Sequence, residues 1–106
     1  MKYYGLTKNQ QSFIDILLSY HCVNCNFIFK ELKFKSKGMV LQVARQLRYI
    51  GYPIHIYAIG KRIRYYFLED YKNQAIDIIW KENKNKISYE RLIIALFGKR
   101  RDEKYV

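Results

Sequence analysis

Between Gly51 and Pro53 the apolar pattern of this chain changes period, and that change limits the folds open to it more than any other feature. Upstream, Val40, Val43, Ala44, Leu47 and Ile50 recur at the i, i+3, i+4, i+7, i+10 spacing of one helical face. The spacing predicts a third helix over Lys37 to Ile50, with Ser36 as its N-cap, Gly51 as the residue that ends it and Pro53 blocking continuation. Downstream the period is 2. Ile54, Ile56 and Ala58 alternate with His55, Tyr57 and Ile59, while Ile63, Tyr65 and Phe67 alternate with Arg62, Arg64 and Tyr66. This predicts a β-hairpin closed by a two-residue turn at Gly60-Lys61. In that register Ala58 pairs with Ile63, Ile56 with Tyr65 and Ile54 with Phe67, which gathers the apolar residues on one face. Lys61, Arg62 and Arg64 are left on a basic outer face and tip.

Two helices are expected before this unit. Thr7 can cap one from about Lys8 to Tyr20, with Phe13, Ile14, Leu17 and Leu18 as its apolar face. Asn24 or Asn26 can cap a second, shorter helix through about Lys33, in which Ile28 and Leu32 form an i, i+4 pair. Beyond the hairpin, Asp70 is the expected cap of a fourth helix through about Glu82, with Ala75, Ile76, Ile79 and Trp80 on its apolar side. Lys81 to Lys86 reads as a polar linker. Ser88 then caps a fifth helix, and Gly98 stops it. The expected fold is mainly α with a small β-hairpin, organised as residues 1–69, a helical extension over 70–98 and a charged tail over 99–106. The stripe Leu92, Ile93, Leu96 and Phe97 is expected to serve the core, a homodimer through the same four residues being the alternative.

A chain of 106 residues can bury one core without a disulfide or a metal. Eleven Tyr, six Phe and one Trp supply large side chains for it. Twenty Lys and Arg against nine Asp and Glu leave a net charge of +11, a self-repulsion that an anionic partner would relieve. Residues 30 to 64 hold nine of the basic residues (Lys30, Lys33, Lys35, Lys37, Arg45, Arg48, Lys61, Arg62, Arg64) and a single acid, Glu31. Nucleic acid is therefore the first candidate partner, with an acidic lipid surface as the rival. No apolar run approaches the ~20 residues of a membrane span, and the N-terminus lacks the apolar stretch of a signal peptide. A cytoplasmic location is expected.

Cys22 and Cys25 then read as reduced thiols. His21 or the distant His55 could complete at most three zinc ligands, short of a closed structural site, so no metal or cofactor is expected. The sequence contains no Gly-rich phosphate loop, no His-Glu-x-x-His and no serine elbow. Asp70 and Asp77 are simpler as a cap and a solvated helix residue than as a catalytic pair. A non-enzymatic protein is expected.

Three helices and a hairpin, with the third helix running out through Arg45-Gln46-Leu47-Arg48-Tyr49-Ile50-Gly51-Tyr52-Pro53-Ile54, resemble the winged helix-turn-helix family of DNA-binding domains over about Leu6 to Leu68. The resemblance implies a third helix in the major groove, a second helix crossing above it and a hairpin wing on the backbone or the minor groove. The second helix departs from the family pattern at Phe27-Ile28-Phe29, where small residues are usual. Residues Ile87 to Gly98 are similar to the opening helix of response-regulator-type winged helices, and the segment is expected to be an accessory helix.

The exposed face of the third helix would carry Gly38, Gln42, Arg45 and Tyr49, flanked by Leu41, Gln46 and Arg48. Arg can bridge guanine O6 and N7, and Gln can bridge adenine N6 and N7, so Gln42 and Arg45 are the expected base readers, with Tyr49 and Gln46 beside them. Lys35, Ser36, Lys37 and Arg48 suit phosphate contacts at the start and edge of the helix, and Lys61, Arg62 and Arg64 suit contacts from the wing. Each such cation taken singly could equally be a solvated surface charge. The reading that follows is a sequence-selective binder of double-stranded DNA, a transcriptional regulator. A protein-interaction module that packs through Tyr49, Tyr57 and Tyr66 against an acidic partner, and a binder of RNA or single strands, are the alternatives.

Overall fold

The computed structural model describes residues 5 to 98, so the expected charged tail at 99–106 lies outside the described residues. The chain is mainly helical with a small antiparallel sheet. Its elements are α1 (Lys8–Tyr20), β1 (Cys22–Asn24), α2 (Cys25–Glu31), α3 (Gly38–Ile50), β2 (Ile54–Ile59), β3 (Ile63–Leu68), α4 (Lys72–Glu82) and α5 (Tyr89–Phe97). A 3-10 turn over Glu69–Tyr71 leads into α4.

Thr7 and Gln10 form a reciprocal capping box at the start of α1, each side chain accepting from the other's backbone N–H at 3.1 and 3.0 Å. The buried face of this helix is Phe13, Ile14, Ile16 and Leu17, while Leu18 is exposed. Asn24 caps α2 by accepting from the Phe27 N–H at 2.9 Å. Ile28 is the fully buried residue of the aromatic Phe27-Ile28-Phe29 segment. Phe27 turns sideways onto Tyr20, with ring centroids 4.9 Å apart, so the bulky start does not wedge α2 away from its neighbours.

The predicted cap of the third helix is displaced. Lys37, without a side-chain cap, precedes α3, and the Ser36 backbone carbonyl rather than its hydroxyl accepts from Met39. A tight i to i+3 turn has taken the place of a side-chain cap. At the other end Gly51 has φ 124, its N–H donates to the Arg48 carbonyl, and the Tyr52 N–H reaches back to Leu47. These two bonds make a Schellman motif, and the buried Tyr52 supplies its hydrophobic contact.

The hairpin differs from its predicted register by one residue. Ile59 pairs with Ile63, Ile56 with Tyr66 and Ile54 with Leu68, leaving the three residues Gly60, Lys61 and Arg62 in the loop. Sequence alternation could not fix this register, because both faces of the hairpin are apolar. Ile54, Ile56, Tyr66 and Leu68 pack with the helices before the hairpin, whereas Tyr57, Ile59, Ile63, Tyr65 and Phe67 pack with the helices after it. A slip of one exchanges the faces of a strand. It carries Arg64, paired with Ala58, onto the face turned toward α1–α3, so the expected basic outer face does not form.

The strand β1, three residues long and absent from the sequence reading, pairs antiparallel with β3 and gives the sheet order β1-β3-β2. Its Val23 joins the core on one side of the sheet and its Cys22 the core on the other. β3, with a strand on each side and Tyr65 to Leu68 all buried, is the wall shared by both cores.

Behind that wall, Ala75, Ile76 and Ile79 of α4 meet Leu92 and Leu96 of α5. Ser88 caps α5 through the Arg91 N–H at 3.4 Å. Asp70 is not the cap of α4: it is exposed within the 3-10 turn, and Tyr71 precedes the helix without a side-chain cap. Nor is the stretch after α4 a free linker. Asn83 is buried, donating to Tyr65 Oη at 3.0 Å and to the Ile79 carbonyl at 2.8 Å, while the Tyr65 hydroxyl donates to Glu82 at 2.6 Å. Burial, reinforced by Glu82, pushes the Tyr65 phenol up to about 12. Leu92 and Leu96 are enclosed in this second core and Ile93 and Phe97 pack half-buried against it, so the stripe considered for a homodimer is largely used within the chain. Among the described residues, no helix is long and apolar enough to cross a membrane.

Candidate nucleic-acid interface

Burial of Val40, Val43, Ala44 and Leu47 turns the opposite face of α3 outward. Gln42, Arg45, Gln46, Arg48 and Tyr49 are all exposed, Tyr49 to 93 %. Gly38, Leu41, Gln42, Arg45, Gln46, Tyr49 and Ile50 line one open groove along this helix. Thirteen residues of α3 span roughly 20 Å, long enough to follow a major groove.

A second cleft opens where the start of α3 faces the hairpin. Lys37, Gly38 and Leu41 form one side, Lys61, Arg62 and Arg64 the other, and Cys25 the floor. Four cations thus converge on one concavity, and no acidic side chain among the described residues lines it. None of the four has an ion-pair partner among the described residues, where Glu69 pairs with His55 and Lys72. Arg64 reaches this cleft because of the one-residue change in register.

Two buried groups hold the cleft in shape. The Cys25 thiol lies 3.9 Å from the Arg62 carbonyl and ties the hairpin loop to the first residue of α2. Tyr66, 1 % exposed, stacks edge-on against Phe13 at 5.7 Å between centroids and anchors β3 to α1. Burial lifts its phenol to about 12, the Cys25 sulfur adds to the rise, and the charges of Arg64 and Arg45 oppose it.

Of the residues expected from sequence, Lys37, Lys61, Arg62 and Arg64 meet in the cleft, and Gln42, Arg45, Gln46 and Tyr49 share the helix groove. Lys35, Ser36 and Arg48 are exposed but line neither. Gln46 is partly committed: its Oε1 accepts from Gln10 Nε2 at 2.9 Å, and Gln10 in turn accepts from Thr7. A Gln whose carbonyl oxygen is so engaged is poorly placed for the two-bond contact with adenine, which needs that oxygen and the amide together. Gln42 has no such restraint among the described residues. Gly38 and Leu41, expected on and beside the exposed face, line both concavities, whereas Cys25 and Ile50, the latter expected in the apolar stripe but half exposed, are the lining residues that the sequence reading did not place there. At Gly38, at the head of α3, a Cβ would meet only Ser36 Oγ, at 3.7 Å, so the surface there is unobstructed.

Cys22 and Cys25 are free thiols, and burial pushes the Cys22 thiol up to about 12, with Glu82 adding to the rise. Such a thiol stays protonated and unreactive at neutral pH. Among the described residues no group of three or more His, Cys, Asp or Glu could hold a metal ion. No family model matches the chain, and no curated protein or solved structure is significantly similar to it.

Proposed function

We propose that this chain is a sequence-selective double-stranded DNA-binding protein of winged helix-turn-helix type, acting in the cytoplasm as a transcriptional regulator without enzymatic activity. The observation that carries the reading is the cleft in which Lys37, Lys61, Arg62 and Arg64 converge without an acidic partner among the described residues, directly beside the exposed face of α3. A rigid helix with Gln42 and Arg45 outward suits base edges in the major groove, and a hairpin carrying cations at its tip suits the flanking backbone. The order of α2, α3 and the β2–β3 hairpin supports the winged helix assignment. Phosphate neutralisation then provides affinity, and Gln42 and Arg45, with Tyr49 at the far end, provide selectivity.

Selection of bound sequences from a random duplex pool tests the proposal. Enrichment of one short motif is the expected result. A pool that is retained without enrichment would reduce the protein to a backbone binder, and a pool that is not retained would favour an acidic protein partner.

A further inference from the structure

Behind the hairpin loop lies another groove, comparable in volume to the cleft in front of it (630 against 580 Å³). Its walls are the end of β2 with Gly60, the loop residues Asn85, Lys86 and Ser88, and Arg91 of α5. No acidic side chain among the described residues lines it. Lys86 and Arg91 are exposed and have no ion-pair partner among the described residues. From residue 83 to 91 three cations, Lys84, Lys86 and Arg91, stand against one acid, Glu90.

The position of this groove matters as much as its charge. Gly60 lines it, and the next two residues, Lys61 and Arg62, line the front cleft. One three-residue loop therefore contributes to both concavities, Gly60 to one and Lys61 and Arg62 to the other. Positive groups on both sides of one loop repel one another, and a polyanion with a charge every ~1.7 Å along its axis can relieve several of them at once. Asn85 and Ser88 place hydrogen-bonding side chains beside the two cations, as backbone-positioning contacts require.

We propose that Lys86 and Arg91 hold the phosphate backbone of the bound duplex beyond the hairpin tip, so that the segment after β3 lengthens the DNA footprint. This rests on the DNA-binding reading above. The test uses the full chain, wild type and Lys86→Ala/Arg91→Ala, titrated by fluorescence anisotropy across salt with duplexes of about one and about two helical turns. The salt slope of the double variant on the longer duplex should be shallower by about two units, at ~0.9 per lost phosphate contact, with the shorter duplex bound alike by both proteins. The charge-retaining Lys86→Arg/Arg91→Lys variant should keep the wild-type slope, and the thermal melts of all three should coincide. An unchanged slope in the alanine variant, with steep salt dependence in the wild type, would overturn the extended footprint alone. A wild type that binds neither duplex would overturn it together with the reading it rests on.

Discussion

Replacing Gln42 and Gln46 by alanine, one at a time, separates two residues that look interchangeable on the helix surface. Gln46 accepts from the amide of Gln10, a buried side chain whose own oxygen is held by Thr7. Gln46→Ala leaves that amide without its acceptor, at a cost of about 1 kcal/mol. For a domain of this size the melting temperature should fall by roughly 4–8 °C for each kcal/mol. Affinity for a selected site and for random duplex should change little, and alike. Gln42 makes no comparable contact, so Gln42→Ala should leave stability within about 0.5 kcal/mol of wild type. Its effect should appear in recognition: a lost two-bond adenine contact is worth about 1–3 kcal/mol, roughly 5- to 160-fold on the selected site and none on random sequence. Thermal melts followed by circular dichroism, with anisotropy titrations on selected and scrambled duplexes, measure both quantities. The reasoning is refuted if Gln46→Ala relaxes base preference at unchanged stability while Gln42→Ala does not.

Other outcomes follow from the same geometry. Lys61→Ala should weaken binding to every duplex alike and make the salt slope shallower by about one unit, and an unchanged slope would remove the hairpin tip from the interface. Ile79→Ala, at a fully buried position of the second core, should destabilise by about 2–5 kcal/mol in urea unfolding; a smaller loss would mean that α4 is only loosely docked on β3. Glu69 accepts from Lys72 and His55, and these contacts hold its carboxyl below the ordinary value of 4.5. The folded state therefore binds this proton less readily than the unfolded chain. The stability contributed is present above 4.5 and fades as pH falls from there through the depressed folded value. Glu69→Gln should flatten that part of the acid unfolding curve, and an identical curve would show that the contacts confer no stability.

How far the sequence revealed this molecule depends on how many faces each element buries. α3 was legible because it buries one face: Val40, Val43, Ala44 and Leu47 mark it, and Gly51 marks its end. The Thr7, Asn24 and Ser88 caps were legible because a small polar side chain precedes each apolar run. The hairpin was legible as a hairpin but not in register, since Tyr57, Ile59, Tyr65 and Phe67 serve one core while Ile54, Ile56, Tyr66 and Leu68 serve the other. With no polar face to oppose an apolar one, turn chemistry alone suggested two loop residues where there are three. β1 could not be read, because Cys22-Val23-Asn24 is too short to show alternation and its pairing with β3 depends on residues about forty positions away. Distance in sequence also hid the link between Gln10 and Gln46. Within the candidate site, residue type and local charge pointed to the cations. Only the fold shows that Arg64 faces Lys37 across a cleft, that Cys25 lies at its floor, and that Gln46 is already engaged.

The central claim, that unpaired cations around α3 and the hairpin bind duplex backbone, is tested most directly by the salt dependence of binding. If Lys35, Lys37, Arg48, Lys61, Arg62 and Arg64 each neutralise one phosphate of a duplex of about one turn, the logarithm of the binding constant should fall against that of salt with a slope of about −5. Affinity should then drop on the order of a thousandfold between about 50 and 200 mM salt. Single-stranded DNA and RNA of equal length should bind more weakly at each salt concentration. A flat salt dependence, a preference for single strands, or no duplex binding at the lowest salt would contradict the claim.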